Sequence, residues 1–217
     1  MRIATLIVLS IVLGASQSRA EKPRPPVGPK AVEGVKEVRP QDEAADAAHR
    51  AHSARVDAQT TADLARAAFE RKRRPGPLAD DERGTFDAIV LAYRKAIDLD
   101  PVGEIGGYCR LRLAGAHQYV GDFDGAGRIL TEAVNVARGP EARVKALYEM
   151  ALFELQARKR PAQALEWATR ARAALERTPD DPANQVEADH LAAIRAKWET
   201  GIGQVMERAG AELRLEK

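Results

Sequence analysis

Apolar positions along this chain recur at spacings of three and four rather than two. Phe86, Ile89, Val90, Tyr93, Ala96 and Ile97 share one face of a helix predicted over 80–99, which Asp100-Pro101 ends. The same pattern predicts helices over 105–120, 123–138 and 140–158, the last carrying Val144, Leu147, Tyr148, Ala151, Leu152 and Leu155. Gly121 suits the left-handed position past a helix end, and Asp122 is placed to accept from the free N–H groups of the next helix. Gly139-Pro140 breaks the chain, with Pro140 as a first helical residue. After a short turn at Lys159-Arg160, a sixth helix opens at Pro161 and ends near Thr178-Pro179. Asp181 is expected to cap a seventh, which starts at Pro182 and runs through Leu191, Ile194 and Trp198. Gly201 and Gly203 are expected to loosen the chain, leaving 201–217 as a separate amphipathic tail with Ile202, Val205, Met206 and Leu213. Few runs alternate apolar and polar residues, so the fold class is all-α.

Upstream of this array, Asp42 to about Arg73 is rich in alanine and charge, without Gly or Pro, and reads as one long helix. Ala44, Ala51, Ala58 and Ala65 fall seven apart, and Ala48, Ala62 and Phe69 mark a complementary seam broken by Arg55. Alanine buries little area, so the seam fits either a solvated helix leaning on the following domain or a dimerising coiled coil over 42–74. His49 and His52 stand three apart on this helix, without a third metal ligand nearby. Arg71-Lys-Arg-Arg74 closes it before Pro75-Gly76-Pro77. These cations complement a helix C-terminus or would meet an anionic surface.

Composition changes the picture at the start of the chain. Arg2 followed by the apolar run Ile3–Leu13 and by Ser18-Arg19-Ala20 has the order of a secretory signal over 1–20, too short for the roughly 20 apolar residues of a membrane span. An uncleaved signal anchor is the alternative. Loss of Arg2 and Arg19 brings the 34 Lys and Arg down to 32, equal to the 32 Asp and Glu, so a mature chain is formally neutral. Binding to nucleic acid through excess positive charge then loses most of its support. Residues 21–41 hold Pro23, Pro25, Pro26, Pro29 and Pro40 and read as an extended or disordered tether. Cys109, the single cysteine, has no disulfide partner in the chain and sits among apolar helix residues, as a buried inert thiol would. All ten aromatic residues lie between Phe69 and Trp198, which places the packed domain there, over 80–200.

The second helices of successive pairs can be superposed in sequence. Ile89, Tyr93 and Ala96 recur as Ala126, Leu130 and Ala133, and then as Ala164, Ala168 and Ala171, at spacings of 37 and 38 residues. Small residues at fixed offsets let helices approach closely, while larger ones fill the groove between pairs. With Tyr93-Arg-Lys-Ala-Ile-Asp-Leu-Asp-Pro101, Gly121-Asp-Phe-Asp-Gly-Ala126 and the small residues Ala114, Ala126 and Ala133, the segment 80–179 resembles tetratricopeptide (TPR) repeats. The repeat over 105–138 is the best copy. In 140–179 the small position of the first helix reads as Leu152, and the first repeat offers only a second helix, because Pro75-Gly76-Pro77 interrupts its partner. The resemblance implies a TPR-like helix-hairpin solenoid, an α-α superhelix preceded by the long Ala-rich helix.

It also implies an interaction module that binds a protein or peptide partner on the concave face of its first helices. The groove positions carried over are Tyr108, Leu111, Gln118 and Tyr119 from one repeat and Glu149, Phe153 and Gln156 from the next. Phe153 and Tyr119 would offer flat apolar contact, and the two glutamines would bond an extended backbone. Leu111 and Phe153 could instead pack on a neighbouring helix. Arg110 and Arg112 flank this surface and would favour an acidic partner. No Gly-rich phosphate loop, HExxH, nucleophile elbow or Cys/His cluster occurs, and neither a cofactor nor a metal is implied. Asp80-Asp81-Glu82 and Asp180-Asp181 sit where helix starts favour carboxylates, while His117 and His190 stand alone. The expectation is an exported, non-enzymatic adaptor, periplasmic or extracellular in a bacterial cell envelope and without stable membrane insertion. The alternative is a self-assembling envelope protein using 42–74.

Overall fold

In the computed structural model of the chain, residues 40–177 and 185–215 are described; the signal (1–20), the tether up to residue 39, the Thr178-Pro179 end, the Asp181 cap and the start at Pro182 lie outside them, while Pro40 and Gln41, expected in the tether, begin a helix. Every regular element among the described residues is a helix: α1 Pro40–Glu70, α2 Asp80–Leu99, α3 Glu104–Tyr119, α4 Phe123–Val136, α5 Pro140–Gln156, α6 Pro161–Glu176 and α7 Gln185–Leu215. None of these is long and apolar enough to cross a membrane.

The turn chemistry forms as the residues dictate. Gly121 takes a φ of 79°, and the Asp122 carboxylate accepts from the Gly125 N–H at 2.8 Å to start α4. Gly139, at φ 77°, precedes Pro140 at the head of α5. At the start of α2 the Glu82 carboxylate accepts from the Ala79 N–H at 2.9 Å, so these acidic residues serve the helix end.

Partner residues show how the rods run. Along α1, Arg55, Asp63 and Phe69 meet Leu99, Tyr93 and Phe86 of α2 in descending order, so the two helices are antiparallel. The missing partner of α2 is thus the C-terminal half of α1, with Pro75-Gly76-Pro77 in the turn between them rather than interrupting a helix. Asp63 and Glu70 of α1 meet Tyr108 and Tyr119 of α3 in ascending order, so α1 and α3 run parallel. Each helix packs on the next, and contacts also join α1 to α3, α3 to α5 and α5 to α7.

One carboxylate organises the first junction. Asp63 accepts from the Tyr93 hydroxyl at 2.6 Å, the Tyr108 hydroxyl at 3.2 Å and Arg112 Nε at 3.3 Å, joining α1 to both α2 and α3. Arg66 adds a bond of 2.6 Å to the Arg112 carbonyl. The Tyr119 hydroxyl donates to the carbonyls of Glu70 and Arg73 at 3.1 and 2.7 Å. Arg73, part of the terminal basic run, turns inward over the rings of Phe69 and Tyr119 and pairs with Glu82, so it is not part of an exposed cationic patch.

Only half of the alanine seam is used. Ala62 and Phe69 are buried and Ala58 and Ala65 pack against the core, whereas residues 43–52 are all exposed, His49 and His52 included. The repeat alanines Ala96, Ala114, Ala126, Ala133, Ala164, Ala168 and Ala171 are all buried. In the later repeat the small position is Ala151, fully buried and 37 residues after Ala114; Leu152, one place on, is only half-buried.

The expected break at 201–217 does not occur: α7 continues through both glycines to Leu215. Its inward stripe of Ile202, Val205 and Ala209 is buried with Val144, Leu147 and Ala168, which outweighs the cost of about 1 kcal/mol per helical glycine. A Cβ on Gly201 would stand 3.1 Å from the Tyr148 hydroxyl oxygen, so the glycine admits that ring rather than loosening the chain. Cys109 is fully buried, and burial pushes its thiol pKa up to about 11.

Replacing Asp63 with Ala strands the Tyr93 hydroxyl in the core. Thermal melts are expected to show a loss of about 1–3 kcal/mol, whereas deleting residues 43–52 leaves the melting temperature nearly unchanged. Tyr93 also gives a pH signature, because burial, first, and the Asp63 carboxylate both raise its pKa. The folded state then holds that proton more tightly, so this stabilisation is complete below the ordinary tyrosine value of about 10 and falls as pH rises above it. Tyr93→Phe should flatten that alkaline decline in melts recorded as a function of pH.

Candidate functional site

Helical spacing puts Glu104, Tyr108, Leu111, Gly115 and Gln118 along one side of α3, away from its buried Cys109, Leu113 and Ala116. On α5, Lys145, Glu149 and Gln156 form the corresponding strip opposite buried Leu147, Ala151 and Glu154. Lys145 Nζ lies 5.7 Å from the Tyr108 ring centroid, bringing the two strips side by side. At this end of the strips an apolar cavity of about 560 Å3 opens between the first half of α3, the turn from α4 into α5, and α7. Leu111, Val136, Val144, Ile194 and Trp198 contribute to its walls, and Tyr108 and Lys145 to its edge.

The seven residues carried over from the repeat resemblance separate into two groups. Leu111 is half-buried and lines the cavity, Gln118 is half-buried on the same side of α3, Glu149 is half-buried on α5, and Gln156 is exposed. Burial raises the pKa of the Glu149 carboxyl, and the Lys145 charge only partly offsets it. Tyr108 also lines the cavity, but its hydroxyl is committed to Asp63. Phe153, by contrast, is 1% exposed and belongs to the core. It lies three and seven residues from buried Met150 and Ala146, on the inward stripe of α5, with Arg158 4.9 Å from its ring centroid. Tyr119 is a fastening between α3 and the end of α1, since its hydroxyl is occupied by two carbonyls.

The flanking arginines both pair within the fold, Arg110 in the interior and Arg112 with its side chain still 42% exposed. Arg110 is 4% exposed and donates to Glu132 at 2.8 Å, while Arg94 donates to the other oxygen of Glu132 at 3.1 Å. Burial acts to raise the Glu132 pKa, but these two arginines outweigh it and hold the carboxyl below its ordinary value. Arg112 is spent on Asp63. The cation that faces the strip is Lys145, which sequence reasoning passed over. Its signal was available in the spacing, because Lys145 precedes Glu149 by four residues and Gln156 by eleven, on one helical stripe. His117 pairs with the capping Asp122 at 2.7 Å and packs edge-on against Phe86, a structural role at the α3–α4 turn. No group of three or more His, Cys, Asp or Glu side chains that could hold a metal ion occurs among the described residues.

Core and strip make opposite predictions for neighbouring residues of α5. Phe153→Ala is expected to cost about 3–5 kcal/mol in denaturant unfolding, and Gln156→Ala to stay within about 0.5 kcal/mol. Comparison with known protein families, with curated proteins and with solved structures finds no match to this chain.

Proposed function

We propose that the chain is an exported, TPR-like helical scaffold that acts by binding a protein or peptide partner rather than by catalysis. The observation that carries this reading is the pair of adjoining strips, Leu111 and Gln118 on α3 and Lys145, Glu149 and Gln156 on α5. Gln156 is exposed and the other four are half-buried, Leu111 with part of its side chain against the core, so the strips keep some side-chain surface open beside the buried Cys109, Leu113, Leu147 and Ala151. The antiparallel pairing of α1 with α2 and the side-by-side contacts of α1, α3 and α5 support the helix-hairpin solenoid that the repeat resemblance implies. Two amides and two opposite charges suit an extended backbone with mixed polar side chains. The apolar stretch at 3–13 and the basic Arg2 before it support export to a bacterial envelope compartment, periplasmic or extracellular.

A second reading, self-assembly through the alanine-rich helix, rests on a specific observation: residues 43–52 continue α1 as exposed helix. It confines any coil to that part of α1, since Ala62 and Phe69 are already buried against the rest of the fold. A dimer by sedimentation that persists after deletion of 43–52 removes this reading.

The partner reading is tested by photo-crosslinking in the native envelope, with the reactive group at position 118 or 156 and a control at Leu91, an exposed residue of α2. A discrete adduct is expected from positions 118 and 156 and not from 91. The Gln118→Ala/Gln156→Ala double variant is expected to weaken capture without lowering the melting temperature. Equal crosslinking at all three positions, or unchanged capture by the double variant, contradicts the proposal.

A further inference from the structure

The cavity at the end of the strips has a chemistry of its own. Its volume of about 560 Å3 lies within the roughly 300–1,000 Å3 range of cavities that hold small organic ligands. Leu111, Val136, Val144, Ile194 and Trp198 bring apolar surface to it from four different helices. Among the described residues its lining contains no Ser, Thr, Asn or Gln, and the Tyr108 hydroxyl already donates to Asp63. A peptide backbone drawn inside would therefore leave its amide groups with few side-chain partners, at a cost that an alkyl chain does not incur. Gln118 and Gln156, suited to backbone bonding, do not line it.

The charges around the cavity are unevenly placed. Among the described charged residues of the lining, Glu104, Arg138 and Glu141 are exposed, whereas Lys145 is half-buried at the cavity edge, its Nζ 5.7 Å from the Tyr108 ring centroid. Attraction grows as the local dielectric falls, so a ligand anion gains more at half-buried Lys145 than it loses to the solvated carboxylates.

We propose that this cavity binds an aliphatic amphiphile with a carboxylate head, the chain lying against Leu111, Val144 and Trp198 and the head at Lys145. The inference goes beyond the partner-binding role and does not depend on it. Gly107 supplies a test that leaves the core alone. It lines the cavity, and a Cβ there would meet nothing within 4 Å. A leucine at that position enters open space while improving helix propensity.

The experiment titrates the full chain carrying Trp167→Phe, so that Trp198 is the sole indole, with sodium dodecanoate below its micelle-forming concentration. Fluorescence and calorimetry are read together. The expected result is saturable binding of one dodecanoate per chain with a change in Trp198 emission. Lys145→Met should weaken dodecanoate about tenfold, the scale of one charge-assisted contact, and leave dodecan-1-ol nearly unchanged. Gly107→Leu should abolish binding of both without lowering the melting temperature. Absence of saturable binding, retention of binding by Gly107→Leu, or equal affinity for dodecyltrimethylammonium would overturn the proposal.

Discussion

The arrangement of this protein depends on a carboxylate in the middle of an otherwise unremarkable alanine-rich helix. Asp63 collects the hydroxyls of Tyr93 and Tyr108 and the guanidinium of Arg112, so three helices have their relative position fixed at one point. Tyr93 is fully buried, and its hydroxyl would lose its observed partner if α1 moved away. The interaction therefore does more than a surface ion pair. It decides that α1 belongs to the array as the partner of α2 rather than trailing from it. Everything C-terminal builds on that choice, because α3 rests on both α1 and α2.

Close packing then propagates the arrangement. Ala114 and Ala151, and Ala126, Ala133, Ala164 and Ala171, are buried at recurring positions on successive helices. A larger side chain at any of these would hold its neighbours apart, and overpacking of this kind is destabilising. The larger residues Leu130, Met150 and Phe153 fill the space between α3, α4 and α5, while Leu155, Ile202 and Val205 fill the space between α5 and α7. Between these inward stripes and the polar outside, α3 and α5 keep a narrow strip accessible. That strip is the proposed partner site.

The helices were legible because their signals are local. Apolar spacing, Gly121-Asp122 and Gly139-Pro140 act within one or two turns, and they place the starts of α2, α4 and α5 where the structure has them, although α4 and α5 end two residues before the expected 138 and 158. What the pattern concealed was tertiary. Pro75-Gly76-Pro77 looks like an interruption until α1 is known to pair back onto α2, and Gly201 looks like a break until Tyr148 is seen against it. Phe153 and Tyr119 carry the side chains of a binding groove, but their burial and hydroxyl partners come from helices distant in sequence. Arg110 was misread in the same way, since its charge is answered by Glu132, 22 residues on. Of the site, Leu111, Gln118, Glu149 and Gln156 followed from the repeat resemblance and Lys145 was readable from its spacing to Glu149 and Gln156, whereas the α7 wall required the fold.

Function in this account follows from which surfaces the packing leaves open, and that in turn rests on α1 being a structural member only beyond residue 52. Hydrogen exchange of backbone amides, resolved by peptide, reports this most directly because protection follows local opening. The account predicts that amides over 53–70 are protected to the same degree as those of α2 and α3, while those over 43–52 exchange rapidly. Exchange over 53–70 as fast as over 43–52 would contradict it, since α1 would then be leaning on the array and not holding it.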